Sequence, residues 1–266
     1  MFAFKFNKTN SNPVLVKELF RLFKVSTRPA IPPAEEIVNE ISLGNGTKLY
    51  EHTGIYSDRK IELNCNFVSE NKNNWIDYLS EIQRALLGDT GTLELTDDES
   101  HYWNVKSVTI DSIDRIIGKC GEFDITFVCE PYRYLKAYTT PLQFDISTSG
   151  KTVEIYNDKE GTKPMFRFFK NTDEDVTISI VKEDKLFEIS HAFQDWITSK
   201  DVTYIDLDVE NMQLVKHFED GTYDYFDDDV SGAYADVQID QGVNQYRITT
   251  SNDTIKTYLY RRMREL

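Results

Sequence analysis

The segment 121–134 constrains the fold of this chain more than any other stretch, because its side chains alternate between apolar and polar. One face of the segment carries four apolar side chains: Phe123, Ile125, Phe127 and Cys129. A period of two residues is that of a β-strand with one buried face. Pro131 has no backbone N–H to donate to a neighbouring strand, so we expect it to end this strand. The segment therefore predicts a half-buried strand that closes a β-rich unit.

One helix is predicted over 75–87, between a strand over 60–67 and further strands over 92–95 and 102–110. Asn74 is expected to cap the helix and Gly88 to end it. Its apolar stripe has four main members and three that widen it: Trp75, Leu79, Ile82 and Leu86, with Ile76, Ala85 and Leu87. A helix with one apolar stripe covers a sheet. Residues 1–136 therefore predict a β-rich α+β domain with one packed helix.

The secondary structure of two segments nearer the N-terminus is predicted from their residue pattern alone. Residues 14–25 fit a short helix followed by a strand, and three prolines after them impose an extended path. Residues 36–41 fit an edge strand, with its turn at 44–46.

After Pro141 the pattern changes to short strands separated by acidic turns. Eight strands are predicted: 152–155, 165–169, 176–181, 204–209, 212–215, 235–239, 246–250 and 257–260. Short strands with turn signals between them are typical of a β-sandwich or jelly roll. We therefore place a domain boundary near 136–141, with a first domain at 1–136 and a second at 137–266.

The net charge of the chain restricts the kinds of molecule to which it can bind. The net charge of the 266 residues is −15, which argues against DNA and anionic membranes because both attract basic surfaces. Residues 1–136 carry 16 Lys and Arg against 20 Asp and Glu, and residues 137–266 carry 14 against 25. The net charges of −4 and −11 fit either an ordinary solvated surface or a second half that projects into solvent while the first packs against partners.

The three cysteines, Cys65, Cys120 and Cys129, form an odd number and contain no C-x-x-C pair. We expect reduced thiols packed in sheets, which is typical of a protein that folds in a cytoplasm. No uninterrupted apolar run is long enough to span a membrane.

Several motifs occur in an order that resembles the distal tail proteins of long-tailed phages infecting Gram-positive bacteria. They run over nearly the whole chain: the glycine turn 44–50, the strand entry 54–61, the helix 75–87, the aromatic strand 102–105, the junction 129–134, the strand 204–208 and the turn 241–246. The acidic stretch 219–229 has no counterpart in this pattern.

The resemblance implies a structural protein rather than an enzyme. Six copies would form a ring through residues 1–136 at the tail tip of a virion, after assembly in the host cytoplasm. The ring would join the tail tube to the tail-associated baseplate or lysin protein, and receptor-binding proteins are further candidate partners. Residues 137–266 would form a galectin-like sandwich outside the ring. Ring closure needs two different complementary surfaces on each subunit.

No residue of the sequence is assigned to catalysis, to a cofactor or to a metal. The four histidines, His52, His101, His191 and His217, lack the spacing of zinc ligands, and no nucleophile or phosphate-binding motif occurs. Asp206, Asp208 and Glu210 fit either a solvated strand face or, with Asn211 in the sixth position, a calcium site.

The stretch 219–229 is expected to be a mobile acidic loop, with a grip on a sugar or on calcium as the alternative. The alternative function for the whole chain is a carbohydrate-binding module that recognises host cell-wall polysaccharide. That alternative rests on analogy with the folds of lectins.

Overall fold

The computed structural model describes residues 2–9, 14–15, 23–69, 71–88, 90–195, 200–252 and 254–266. The chain divides into an N-terminal unit, Met1–Lys136 together with Leu266, and a C-terminal unit, Ala137–Glu265. The described residues form many strands and a single α-helix, so the predicted class of a mainly β protein with one packed helix is confirmed. Among these residues no helix is both long enough and apolar enough to span a membrane.

The N-terminal unit has ten strands and the helix α1 (Trp75–Leu86) among its described residues. The strands are β1 (Phe4–Lys8), β2 (Val14–Leu15), β3 (Lys24–Val25), β4 (Glu36–Ser42), β5 (Lys48–Tyr56), β6 (Arg59–Val68), β7 (Gly91–Leu95), β8 (His101–Ile110), β9 (Asp114–Ile117) and β10 (Cys120–Leu135). The main sheet is antiparallel in the order β2-β1-β7-β8-β10-β6-β3, and β9 also pairs with β10. Strands β4 and β5 form a separate two-stranded sheet. The middle of the helix expected within 14–25 lies outside the described residues.

The expectation that Pro131 ends its strand is wrong, because β10 continues to Leu135. The pairing of β10 with β8 is regular up to Val128, shifts at Cys129, and becomes regular again at Arg133. Pro131 lies within the shifted stretch. An irregular stretch of strand tolerates a residue without a donor, so the strand continues past the proline with a shifted register.

The core of the N-terminal unit lies between the main sheet and α1. Phe127 is fully buried, and its ring makes edge contacts with Phe4 at 5.4 Å and Phe6 at 5.5 Å between centroids. From α1, Ile82 and Leu86 are fully buried in the same cluster. The predicted stripe of the helix therefore faces the sheet.

The ends of α1 differ in part from the prediction. The side chain of Asn74 makes no capping hydrogen bond. Instead, the side chain of Asn71 accepts from the backbone N–H groups of Asn73 and Asn74 and caps a short 3-10 turn that leads into α1. At the other end Gly88 has a φ of 82°, the left-handed conformation expected after a helix. Ile76, expected to widen the stripe, is 67% exposed, and Leu87 is also exposed.

The C-terminal unit is built from two antiparallel sheets. Its strands are β11 (Leu142–Ile146), β12 (Lys151–Asn157), β13 (Met165–Phe169), β14 (Ile178–Lys182), β15 (Lys185–Ile189), β16 (Val202–Asp208), β17 (Gln213–Phe218), β18 (Tyr223–Tyr225), β19 (Val230–Ser231), β20 (Gly242–Thr250), β21 (Ile255–Tyr260) and β22 (Arg264–Glu265). One sheet has the order β11-β21-β13-β16-β17-β18, and the other has the order β12-β20-β14-β15-β19.

The inner faces of these two sheets pack against each other. Phe166 of β13 and Tyr246 of β20 are fully buried, with ring centroids 6.0 Å apart. This is the sandwich that the sequence predicts for the second half. One of the eight predicted strands is wrong: 235–239 contains a 3-10 turn, Tyr234–Val237, in place of a strand.

A lysine of β17, Lys216, is fully buried in the C-terminal unit. Nζ of Lys216 donates to the carbonyls of His191 at 2.9 Å and Gln194 at 2.6 Å, and to Asp229 Oδ2 at 2.6 Å. The same ammonium lies 4.3 Å from the centroid of the Phe226 ring. Because a buried ammonium needs acceptors on every side, Lys216 ties together two segments that are far apart in sequence. No sequence motif indicated this contact.

Candidate interaction surfaces

The hairpin Glu36–Tyr56, which we call the arm, is exposed along most of its length. Among the described residues, β4 and β5 pair with each other and join no other sheet. Seven large apolar side chains of the arm are more than a third exposed: Ile37, Val38, Ile41, Leu43, Leu49, Tyr50 and Ile55. A two-stranded hairpin on its own is marginally stable in water. An exposed apolar surface of this kind is typical of a protein interface.

Polar contacts fix the base of the arm. The carboxylate of Glu36 accepts from the backbone N–H of Gly54 at 2.8 Å and contacts His52 Nδ1 at 2.8 Å. These hydrogen bonds, that of His52 first, hold the pKa of Glu36 below its ordinary value. Beyond the arm, Ser57 donates its backbone N–H to the carbonyl of Glu35 at 2.9 Å. These contacts hold the base of the arm in place, while the side chains along its two strands remain exposed to solvent.

A second apolar surface of the N-terminal unit lies near the start of α1. The guanidinium of Arg115, on β9, lies 5.4 Å from the centroid of the Trp75 ring, so β9 runs beside the helix. Ile116 is 58% exposed and Ile117 70% exposed. We call the three exposed isoleucines of this region, Ile76, Ile116 and Ile117, the β9 patch.

The outer face of the β11–β18 sheet of the C-terminal unit carries a row of aromatic side chains. Phe169, Tyr204, His217 and Tyr223 are partners across four successive strands. Their ring centroids are 5.8, 4.2 and 5.9 Å apart in that order. We call this set the aromatic row. Adjacent strands are about 4.8 Å apart, so the row extends for about 14 Å across the sheet.

A polar pair lies beside the aromatic row on the same face. Arg167 donates to both oxygens of Asp206, each at 2.7 Å, and its guanidinium lies 4.4 Å from the centroid of the Tyr204 ring. His217 Nε2 contacts Asp206 Oδ2 at 3.1 Å. Tyr225 continues this second row at the edge of the sheet and is 52% exposed. The guanidinium of Arg167 thus holds the carboxylate of Asp206 in place beside the aromatic rings, and Asp206 in turn contacts the imidazole of His217.

The carboxylates of Asp206, Asp208 and Glu210, considered above as a calcium site, are paired with arginines. Asp208 accepts from Arg262 at 2.8 and 3.1 Å, and Glu210 contacts Arg264 at 3.3 Å. With Asp206 held by Arg167, each of the three carboxylates has a cationic partner. Among the described residues no group of three His, Cys, Asp or Glu side chains is arranged to hold a metal ion.

Each histidine of the chain contacts a carboxylate rather than another histidine. The pairs are His52 with Glu36 at 2.8 Å, His101 with Asp98 at 2.7 Å, His191 with Asp175 at 2.8 Å and His217 with Asp206 at 3.1 Å. Burial raises the pKa of the Cys65 thiol, and it raises the pKa of the Cys129 thiol to about 12. Neither thiol is therefore a nucleophile at neutral pH.

The stretch 219–229, expected to be an acidic loop, contains a short strand and a 3-10 turn. Tyr223–Tyr225 forms β18, which pairs with β17. Asp227 Oδ1 accepts from the backbone N–H of Leu214 at 3.0 Å, and Asp229 binds the buried Lys216. Asp220 contacts Nζ of Lys200 at 2.8 Å. These carboxylates therefore anchor the stretch to the sandwich and place Tyr223 on the outer face.

Acid should weaken the C-terminal unit partly through Asp208. Burial opposes ionisation of this carboxyl, but hydrogen bonds from Arg262 and Asn211 outweigh burial and hold its pKa below the ordinary 3.8. A carboxyl with a lowered folded-state pKa stabilises the fold above its unfolded pKa, and this contribution is lost as the pH falls through the folded pKa. We therefore expect the difference in free energy of unfolding between the protein and D208N to shrink from about pH 5 to about pH 2.

Urea unfolding at several pH values in that range measures this difference. D145N, at an exposed aspartate of β11, is the matched control and should show a smaller dependence on pH. A difference between the protein and D208N that stays constant with pH would contradict the role given to Arg262.

Comparison with known proteins identifies structures that share this fold. No protein-family model and no curated protein matches the chain. Seven chains of solved structures do, and two of them are described here. The SPP1 Dit protein, described as a paradigm of the hub adsorption apparatus in Gram-positive infecting phages, is 12% identical, with a TM-score of 0.56 over 100% of both chains. A chain of the phage P2 baseplate in its activated conformation with Ca is 13% identical, with a TM-score of 0.53 over 97% of this chain and 98% of that one.

At these identities the likeness is one of fold, and it extends over the whole length of the chain. The resemblance to distal tail proteins is thus confirmed at the level of architecture, and the protein has a Dit-like fold.

Proposed function

We propose that this protein is a structural component of a phage tail tip. In this proposal six copies form a ring through residues 1–136, and the ring connects the tail tube to the tail-associated baseplate or lysin protein. Residues 137–266 form a galectin-like sandwich outside the ring. The protein acts as a connector and not as an enzyme. The fold shared with a phage hub protein and a phage baseplate chain supports this assignment.

The arm is the observation that carries the proposal. It has apolar side chains on both faces, and nothing else in the described part of the N-terminal unit adds a strand to it. Such a hairpin is stabilised when another molecule covers it. We assign that role to a second copy of the chain.

A ring also needs a receiving surface that differs from the arm. Head-to-tail association joins two unlike surfaces on each subunit, and a rotation that closes gives a ring. The N-terminal unit has a second exposed apolar surface in the β9 patch, with Ile76, Ile116 and Ile117. The arm and the β9 patch supply the two unlike surfaces that ring closure requires.

The charge of the chain fits this division of roles. The net charge of residues 137–266 is −11, against −4 for residues 1–136. Like charges on neighbouring subunits repel each other, and this repulsion is smaller when the charges lie at the outside of an assembly and are screened by salt. The more acidic half is therefore placed at the periphery of the ring.

Charged substitutions on the arm should abolish assembly without unfolding the subunit. Leu49 is 53% exposed and Ile55 is 61% exposed, so L49E/I55E removes no core contact. The unchanged protein should form particles of six times 31.0 kDa as its concentration rises, or when tube protein is added. Mass photometry and analytical ultracentrifugation across a concentration series measure this.

M212E is the matched control, because Met212 is an equally exposed apolar residue of the C-terminal unit at 61%. It should assemble as the unchanged protein does, and both variants should keep the melting temperature. A protein that stays monomeric at every concentration, with and without tube protein, would refute the ring. Normal assembly of L49E/I55E would refute the role of the arm alone.

A further inference from the structure

The tip of the arm holds the only asparagine of the sequence that is followed by a glycine, Asn45–Gly46. Both residues are exposed in the turn between β4 and β5. A glycine has no side chain to shield its backbone nitrogen. That nitrogen can therefore attack the side-chain carbonyl carbon of the asparagine before it, which is the first step of deamidation.

The turn leaves space for this attack and also requires the glycine. A Cβ placed on Gly44 or Gly46 would meet no atom of the described residues within 4 Å, so no neighbouring segment of that part of the chain encloses the tip. Gly46 has a φ of 81°, a conformation that residues with a side chain rarely adopt. A bulkier residue after Asn45 would slow the reaction but would strain the turn. The geometry of the arm therefore keeps the reactive pair in place.

Hydrogen bonds in the turn act on the two reacting groups in opposite directions. The backbone N–H of Thr47 donates to Asn45 Oδ1 at 3.0 Å, which stabilises negative charge on this oxygen during attack on Cγ. The backbone N–H of Gly46 donates to the carbonyl of Leu43 at 2.9 Å, and this bond must open before the nitrogen can react. A two-stranded hairpin on its own is marginally stable, so its tip opens without unfolding of the rest of the unit.

We propose that Asn45 is a site of spontaneous deamidation. Hydroxide removes the proton of the Gly46 nitrogen, which then forms a bond to Cγ of Asn45. The bond between Cγ and Nδ2 breaks, and the leaving nitrogen takes a proton from water and departs as ammonia. Water opens the resulting cyclic imide at one of its two carbonyls, which gives aspartate or isoaspartate at this position. The reaction consumes water alone.

Isoaspartate would change the tip of the arm more than aspartate. Both products add one negative charge close to the exposed side chain of Leu43. Isoaspartate also routes the main chain through the side-chain carbon, which adds an atom between Leu43 and Thr47. The backbone N–H of Leu43 donates to the carbonyl of Thr47 at 2.8 Å, and we expect this hydrogen bond to be lost. Exclusion of such subunits from an assembly that uses the arm is a further expectation, and it rests on the proposed function.

Mass spectrometry of the full chain after incubation over a pH series tests the site. The mass increase of an amide converted to an acid should appear in the peptide that contains Asn45, and it should rise faster at alkaline pH. Isoaspartyl methyltransferase should label the same peptide. N45Q should react about a hundredfold more slowly, because a side chain longer by one methylene misplaces the carbonyl carbon by about 1 Å.

Asn211 is the matched control within the same molecule. It is also exposed in a turn, between β16 and β17. Met212 follows it, and its Nδ2 donates to Asp208 Oδ2 at 3.0 Å. The peptide that contains Asn211 should therefore keep its mass while the peptide of Asn45 changes.

The modified and unmodified proteins differ by one charge, so ion exchange separates them for a second measurement. Hydrogen exchange at the backbone amides of Leu43 and Thr47 should be faster in the isoaspartyl fraction. Mass photometry should show that this fraction assembles only at a higher concentration than the unmodified fraction. Equal assembly of the two fractions would refute the effect on the arm.

Two results would overturn the site itself. One is a peptide of Asn45 that keeps its mass at alkaline pH. The other is an equal mass increase at Asn45 and Asn211, which would mean that the turn of the arm has no special reactivity. Neither measurement depends on whether rings form, so failure of the site is distinguishable from failure of the proposed assembly.

Discussion

Replacing Phe127 by alanine should destabilise the N-terminal unit by about 3–5 kcal/mol, the usual cost of removing a buried aromatic ring. The side chain is fully buried, and it contacts Phe4 and Phe6 of β1 from its position on β10. Loss of the ring leaves a cavity between strands that are distant in sequence. A domain is typically stable by about 5–15 kcal/mol, so a large share of the stability is removed.

Calorimetry and urea unfolding measure this loss. Y50A, at a tyrosine of the arm that is 56% exposed, is the matched control and should change the free energy of unfolding by no more than about 0.5 kcal/mol. We expect the transition of the C-terminal unit to be unaffected by F127A. Equal effects of F127A and Y50A would mean that the core is not where the structure places it.

Replacing Lys216 by methionine should destabilise the C-terminal unit by about 3–5 kcal/mol, although methionine has a similar length. The ammonium is fully buried, and its loss leaves Asp229 and the carbonyls of His191 and Gln194 without this donor. Breaking a buried pair costs more than the pair contributes, because the remaining charge stays in a poorly solvated place. The free energy of unfolding and the melting temperature both report the effect.

A second substitution identifies the cause. If the remaining charge of Asp229 is responsible, K216M/D229N should recover part of the stability that K216M loses. K185M removes a lysine that is 62% exposed and paired with Asp236, and it should leave the melting temperature unchanged. A K216M protein as stable as K185M would show that the buried contacts contribute little.

The fold was largely predictable from side-chain periodicity, because burial of one face leaves a direct mark on the sequence. The strand over 60–67 and the stripe of α1 show this, and both lie where the pattern predicts. Local exceptions depend on pairing that the sequence does not display. Pro131 was expected to end β10, but the shifted register beside β8 accommodates it. Likewise, Asn74 had the right residue type for a cap, whereas the capping bonds come from Asn71.

The candidate surfaces were harder to predict than the fold. The arm has the apolar content of an ordinary edge strand, and only the tertiary structure reveals that no sheet of the described residues covers it. The aromatic row joins residues of four strands spread from Phe169 to Tyr223, so its members are not close in sequence. The pairing of Arg262 with Asp208 depends on a contact over more than fifty positions and left no local signal.

The arm also has a consequence for the order of events after synthesis. Strands β4 and β5 are joined by a short turn, and a hairpin of this kind forms within microseconds. The pairing of β1 with β7 joins distant parts of the chain and is slower, because a long loop must close first. The apolar strands of the arm are therefore formed before the main sheet of the N-terminal unit. The net charge of −15 keeps new chains apart by long-range repulsion, so the local concentration of subunits decides when the arm is covered.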